Sequence, residues 1–214
     1  MPAKRAHARS REFRFHSILK LSLLWFALIA LMAGKMPALP GQDMSLDDAR
    51  LIGPTTELET EFMEMALEYQ ATGDERYEDA IKDFQAFVRR CIDFSLGIDL
   101  APGRVPCTFY WLFDQDKIIG RSGLRHRLTP DLENEGGHIG YDIRPSERRK
   151  GYGTLILKLT LEKAAEFGLQ RVLLTCDADN IGSAKIIEKN SGRLAGQEIS
   201  RRSGKLISQY WIEL

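Results

Sequence analysis

The densest chemical signal in the chain is a run of seven residues, Arg148-Arg149-Lys150-Gly151-Tyr152-Gly153-Thr154. It follows a strand-like stretch, Gly137 to Arg144, and opens a helix-like one, Thr154 to Phe167. Two glycines keep the backbone open at that junction. A helix N-terminus leaves backbone N–H groups unpaired and carries about half a positive charge. With three cationic side chains just before it, the junction reads as an anion site suited to phosphate. Its spacing excludes two common phosphate loops. A mononucleotide loop needs Gly-x-x-x-x-Gly-Lys-Ser/Thr, which the chain lacks. A dinucleotide fingerprint needs a small residue three positions after the second glycine, where Ile156 stands.

Proton chemistry would fall to the strand before the loop. His138 has an intrinsic pKa of about 6.5, suited to taking a proton near neutral pH. Glu133, Glu135 and Asp142 are weaker candidates close by. Strand alternation places Ile139, Tyr141 and Ile143 on one face and His138, Gly140 and Asp142 on the other. Cys91, Cys107 and Cys176 lie far apart with no metal-ligand spacing. They read as reduced thiols, and no metal is expected.

These residues need a frame, and hydrophobic periodicity supplies one. Asp48 to Ile52 reads as a first strand. Thr56-x-x-Glu59 is a capping-box pattern, opening a helix with Leu58, Phe62, Met65, Ala66 and Tyr69 at helical spacing. A second helix is expected from about Glu78 to Leu96. The many acids of both helices read as a solvated face, with attraction of a cationic amine as the functional alternative. Cys107 to Phe113, dense in aromatics, reads as a strand buried on both faces, and Ile118 to Leu128 as its hairpin return. Thr129 to Gly136 reads as a polar connection. Beyond the loop and its helix come a strand (Arg171 to Cys176), a helix after Asp179-Asn180, and two strands (about Arg193 to Ile199 and Leu206 to Leu214). The order is β-α-α-β-β-β-α-β-α-β-β. That is an α/β (α+β) fold with a mixed, mostly antiparallel central sheet flanked by helices.

The bulk numbers suit one domain with an extension. The chain has 214 residues, 43% of them hydrophobic, and a net charge of zero. A nucleic-acid binder would carry a basic excess. Residues 1–43 hold seven basic and two acidic side chains, a net of +5, which leaves −5 for 44–214. Leu21 to Gly34 is almost wholly apolar, yet as a helix it would span roughly 20 Å, short of the ~30 Å hydrocarbon core. Residues 1–43 therefore read as a basic and apolar extension with a linker. It is signal-like, a membrane anchor through 18–34, or the product of a start upstream of Met36 or Met44. Residues 44–214 read as the functional domain.

The pattern Arg-x-x-Gly-x-Gly (Arg148, Gly151, Gly153) follows a strand ending Ile143-Arg144-Pro145. After it come a strand, Asp179-Asn180 and a helix ending in glycine. This resembles the acyl-CoA-binding motif of the GNAT superfamily of N-acetyltransferases, and the element order from Asp48 to Leu214 is similar to the GNAT fold. Gly136 to Tyr141 and the ending Gln-Tyr-Trp-Ile-Glu-Leu look like an uncharacterised bacterial branch of that superfamily.

The resemblance implies an acetyl-CoA-dependent N-acetyltransferase. A primary amine, of a small molecule or a protein, would attack the thioester directly. Acetyl-CoA would be the cosubstrate, its pyrophosphate held by the amides of Arg149, Lys150, Gly151, Tyr152, Gly153 and Thr154, with charge added by Arg148. A backbone N–H among Tyr141, Asp142 and Ile143 would polarise the carbonyl. Asn180 and Ser183 would lie along the CoA arm, although a simple N-cap is the alternative for Asn180. His138 is the first candidate base, near where many family members carry a strand glutamate, and Glu135 is a weaker one. Many members place a tyrosine acid seven residues after the helix asparagine. Here that position is Ile187, which leaves Tyr210 or Ser183 as weak substitutes. This departure admits an alternative, a non-catalytic acyl-CoA-binding sensor of the same fold. The expected partners are acetyl-CoA and an amine acceptor, without nucleic acid; membrane contact through 18–34 and a homodimer are admitted. The expected location is cytoplasmic, with anchoring through 18–34 as the alternative.

Overall fold

A computed structural model describes residues 46–214 of the protein. The extension expected over 1–43, with its anchor and late-start readings, lies outside the described residues. Among the described residues no helix is long and apolar enough to cross a membrane.

A short 3-10 turn, Leu46–Asp48, leads into β1 (Arg50–Ile52). Three helices follow: α1 (Glu59–Ala71), α2 (Glu78–Lys82) and α3 (Phe84–Leu96). The chain continues through β2 (Cys107–Asp114), β3 (Lys117–Arg125), α4 (Pro130–Asn134), β4 (Ile139–Ile143) and α5 (Tyr152–Glu166). It ends with β5 (Arg171–Asp177), α6 (Ile181–Lys189), β6 (Arg193–Ile199) and β7 (Leu206–Glu213).

Three local differences from the expected elements have side-chain causes. The first cap is Thr55 rather than Thr56. Its Oγ1 accepts the Glu57 N–H at 3.2 Å, and the helix enters through a 3-10 turn. The second helix breaks at Asp83, whose carboxylate accepts the Ala86 N–H at 2.9 Å and so caps a new helix. A short polar side chain competes for the backbone in this way wherever a non-helical turn is within reach. The connection after Thr129 contains α4, because Thr129 accepts from the Leu132 N–H and Pro130 is pre-set for a first helical position.

The strands form two antiparallel sheets, ordered β1-β2-β3-β4 and β5-β7-β6. No ladder joins β4 to β5. They are stitched just before β4, where the His138 N–H donates to the Leu173 carbonyl at 2.7 Å. Gly137 makes that approach feasible: its φ is +59°, and a Cβ there would sit 2.3 Å from the Leu173 oxygen. Past the stitch the two strands part.

Each face of the first sheet is covered. On one side α1 to α3 bring an aromatic cluster onto it. The Phe62 ring lies 4.7 Å from Trp111, 5.1 Å from Phe87, 5.2 Å from Tyr77 and 5.5 Å from Phe84. Burial of such side chains contributes about 1.5–3 kcal/mol each, which ties the helices to β2 firmly. On the other side α5 packs Leu157, Leu161 and Ala164 against Leu124, Ile139, Val172 and Leu174. This core spans both sheets and holds them on either side of the β4–β5 gap.

Candidate active site

Strand β4 divides the site. Ile139, Tyr141 and Ile143 pack on the α5 side, and Asp142 turns to the α1–α2 side, as alternation requires. Two clefts flank the strand. One opens between β4 and β5, is walled by Ile139, Leu174, Thr175, Cys176, Ser183 and Ile187, and encloses about 270 Å³. The other lies on the helical side, is walled by Cys107, Phe109, Arg121 and Asp142, and encloses about 250 Å³. Both are lined by Gly140, Tyr141 and Arg125, so the clefts meet there. A Cβ on Gly140 would touch nothing within 4 Å, which leaves open space at the junction.

Asp142 is held from α1 and from the turn that leads into α2. Its Oδ1 accepts from the Tyr77 hydroxyl at 2.8 Å and lies 2.9 Å from the Tyr69 hydroxyl. Oδ2 is 2.9 Å from the Tyr77 hydroxyl and 3.6 Å from Arg76 Nη1. The Tyr69 hydroxyl also lies 2.7 Å from the Ile143 carbonyl. Both phenols are pushed well above the ordinary tyrosine range, by burial first and by the Asp142 charge second, so they remain protonated donors.

Tyr141 presents two groups. The Arg144 N–H donates to Ile119 on β3 at 2.9 Å. Alternation along the strand then turns the Tyr141 and Ile143 amides toward β5. The Tyr141 hydroxyl is buried near Ser183 but makes no hydrogen bond of ordinary geometry among the described residues. Burial pushes this phenol up to about 12, so it too stays a donor.

The loop presents backbone. Arg149 has φ 63° and Gly151 φ 94°, the latter a conformation that costs glycine nothing. No side chain caps α5, and its first turn carries no acid. The amides of Arg149 to Gly153 donate to no backbone carbonyl among the described residues. Thr154 differs from expectation, since its N–H donates to the Gly151 carbonyl at 3.0 Å. The open cradle is therefore Arg149 to Gly153. The side chains turn to other work: Arg148 Nε donates to the Ile143 carbonyl at 3.1 Å, Lys150 pairs with Glu147 at 2.8 Å, and the buried Tyr152 hydroxyl donates to Asp114 at 2.5 Å. Glu68 braces the strand-to-loop turn from α1, pairing with the buried Arg144 and accepting the Ser146 N–H at 3.2 Å. At the start of α6, Asn180 Oδ1 accepts the Ser183 N–H at 3.0 Å, which is an N-cap.

The expected base and acid do not converge on this junction. His138 is 7% exposed and lines neither cleft. Its Nδ1 accepts the Leu173 N–H at 2.9 Å, so a neutral ring carries its proton on Nε2 and has no free lone pair. Glu135 lines the first cleft but is bound by Arg202 at 2.6 Å and by the Ser200 and Ser203 hydroxyls. Arg202 first, then Ser200, hold it below the usual carboxylate range. Tyr210 is 4% exposed within the core and lines neither cleft. Ile187, where the family tyrosine would stand, is 1% exposed in that core.

His138 is thus placed to hold the β4–β5 stitch, and stability should report it. His138→Ala leaves a buried Leu173 N–H unpaired, an expected cost of about 1–3 kcal/mol in denaturant unfolding. Burial first, and Arg125 second, hold the imidazole below the ordinary histidine range. The unfolded chain then binds more protons as pH drops below about 6.5, so the stability contributed by the neutral ring is lost on the acid side. That acid-side slope should shrink in the variant.

Sequence reasoning missed Arg121, Tyr69, Tyr77 and the Tyr141 phenol. Alternation could have put Arg121 on a strand face, but not opposite Asp142.

Residues 56–192 match the family described as the acetyltransferase (GNAT) domain. No curated protein matches the sequence. Solved structures share the fold at low identity. An acetyltransferase from Salmonella typhimurium, which modifies the N-terminal serine of 50S ribosomal protein L7/L12, is 15% identical with a TM-score of 0.58, covering 78% of this chain and 95% of that one. The microcin C7 self-immunity acetyltransferase MccE is 16% identical with a TM-score of 0.59, covering 78% and 93%. RimJ of Mycobacterium smegmatis is 13% identical with a TM-score of 0.60, covering 77% and 81%. The family match spans most of the chain, including β4, the loop and α5, and this protein belongs to the GNAT acetyltransferase family.

Proposed function

We propose that the protein is an acetyl-CoA-dependent N-acetyltransferase in which an amine attacks the thioester directly. The observation that carries this reading is the meeting of two clefts at Gly140 and Tyr141. A donor seated in the β4–β5 gap and an amine seated beside Asp142 would come together there. The solved MccE complex contains acetyl-CoA and AMP, and the RimJ complex contains a CoA disulfide, which supports the choice of donor.

Acetyl-CoA supplies an activated acyl group whose thiol, with a pKa near ~8.5, leaves readily. The open amides of Arg149 to Gly153, at an uncapped helix end, suit its pyrophosphate. The free amide nitrogen of Asn180 and the Ser183 hydroxyl extend that contact along α6. The Tyr141 N–H, turned into the gap, polarises the carbonyl. The Tyr141 hydroxyl hydrogen-bonds the departing sulfur without surrendering its proton, since the phenol is a far weaker acid than a thiol. Asp142 takes the proton of the ammonium, whose pKa near ~10 keeps it charged at neutral pH. This assigns to Asp142 the role that sequence gave first to His138. Tyr141→Phe removes a single donor worth about 0.5–1.5 kcal/mol, so kcat should fall roughly 2- to 10-fold with acetyl-CoA affinity retained. The reaction is assigned to the cytoplasm, where acetyl-CoA is expected.

Free thiol release by the full chain, with acetyl-CoA and a panel of amino acids, polyamines and peptides, tests the reading. Saturable, amine-dependent release is expected. Tight acetyl-CoA binding with no release on any amine would instead favour an acyl-CoA sensor.

A further inference from the structure

The helical-side cleft contains a cation that the chemistry above does not use. Arg121 stands directly across the β3–β4 ladder from Asp142, so both side chains rise from the same face of the sheet. Opposite charges in that relation ordinarily pair. Here they do not. Asp142 is taken by Tyr69, Tyr77 and Arg76. Arg121 makes no ion pair with any described carboxylate. Its guanidinium lies 3.9 Å over the Phe109 ring and 5.6 Å from that of Phe87. Its Nε is buried without a partner, and Nη2 reaches only the Cys91 sulfur, at 4.0 Å.

Aromatic faces compensate part of the cost of holding a cation out of water, but they fill none of its in-plane N–H positions. A guanidinium fork held flat with open donors is matched by a carboxylate, which it can grip through two parallel hydrogen bonds. The cleft beside it opens at Gly140, where an added Cβ would meet nothing within 4 Å, and there it reaches the junction of the clefts.

Resting on the acetyltransferase reading, we propose that the acceptor is a small zwitterionic amine of the amino-acid class, with Arg121 receiving its carboxylate and Asp142 its ammonium. Residues directly opposed on antiparallel strands have Cα atoms about 4.5–5.5 Å apart. A ligand that pairs with both side chains carries an amine and a carboxylate within one small molecule's length of each other. The cleft, at about 250 Å³, has the volume of a small molecule.

The test compares free amino acids with the matching amino-acid amides and decarboxylated amines, in the full-length protein and in Arg121→Gln and Arg121→Lys. The native protein should prefer the carboxylate-bearing acceptor by about 10- to 100-fold in kcat/KM, the usual worth of a hydrogen bond to a charged group. Arg121→Gln should erase that preference, while Arg121→Lys, with charge but no fork, should keep a part of it. Titration with acetyl-CoA checks that each variant is folded. Should Arg121→Gln fail to fold, Gly140→Leu, which grows into the open junction, should raise the amino-acid KM at least tenfold. Turnover of amines without carboxylate preference, or equal losses on both acceptor sets in Arg121→Gln, would overturn the acceptor class and leave the acetyltransferase standing. Acetyl-CoA binding with no turnover on any amine would overturn both.

Discussion

Asp142→Asn is expected to lower kcat by roughly 10²- to 10⁴-fold, the usual worth of a positioned general base. Asparagine keeps the shape of the side chain and one acceptor oxygen for the Tyr69 and Tyr77 hydroxyls, which lie 2.8–2.9 Å from the native carboxylate. It cannot accept a proton near neutral pH, and it removes the charge that faces Arg76. Loss of kcat with near-native acetyl-CoA affinity would separate the proton step from donor binding. Because Asp142 also anchors α1 and α2 to β4, thermal unfolding should be measured alongside. A variant that unfolds earlier but turns over normally would make Asp142 an anchor only, and the proton would need another route.

Gly137→Val is expected to cost about 3 kcal/mol or more, through strain at a special backbone conformation. Two effects combine. A β-branched residue at φ +59° is strained whatever its surroundings. Its Cβ would also fall 2.3 Å from the Leu173 oxygen and 3.0 Å from the Leu173 carbonyl carbon, both main-chain atoms of a central strand. Neither can move without breaking the His138–Leu173 stitch. A loss of this size corresponds to a fall of roughly 6–12 °C in Tm for a domain of this length. Gly140→Ala is the matched control: its Cβ meets nothing within 4 Å, so Tm should stay near the native value. A normal Tm for Gly137→Val would mean that β4 and β5 do not approach as closely as the structure has them.

The two predictions draw unequally on what could be read from letters. Local rules located the frame. Alternation along β4 put Asp142 and Tyr141 on opposite faces, and glycines beside cations marked the loop. What escaped depended on contacts between distant segments. The tyrosines that hold Asp142 come from 73 and 65 residues away. The opposition of Arg121 and Asp142 depends on a hairpin register that residue types do not fix. His138 has the right chemistry for a base, but its lone pair is committed to Leu173, a partner 35 residues on. The errors in helix boundaries were smaller and local, at Thr55 and Asp83, where a side chain competed with the backbone.

Direct transfer at the junction of two clefts makes a kinetic demand. Donor and acceptor must be bound together, so initial rates measured over both concentrations should give intersecting reciprocal plots. Incubation with acetyl-CoA alone should add no acetyl group to the protein by intact mass. Parallel plots, with an acetyl group on Cys176 or another cleft side chain when the amine is withheld, would contradict the account.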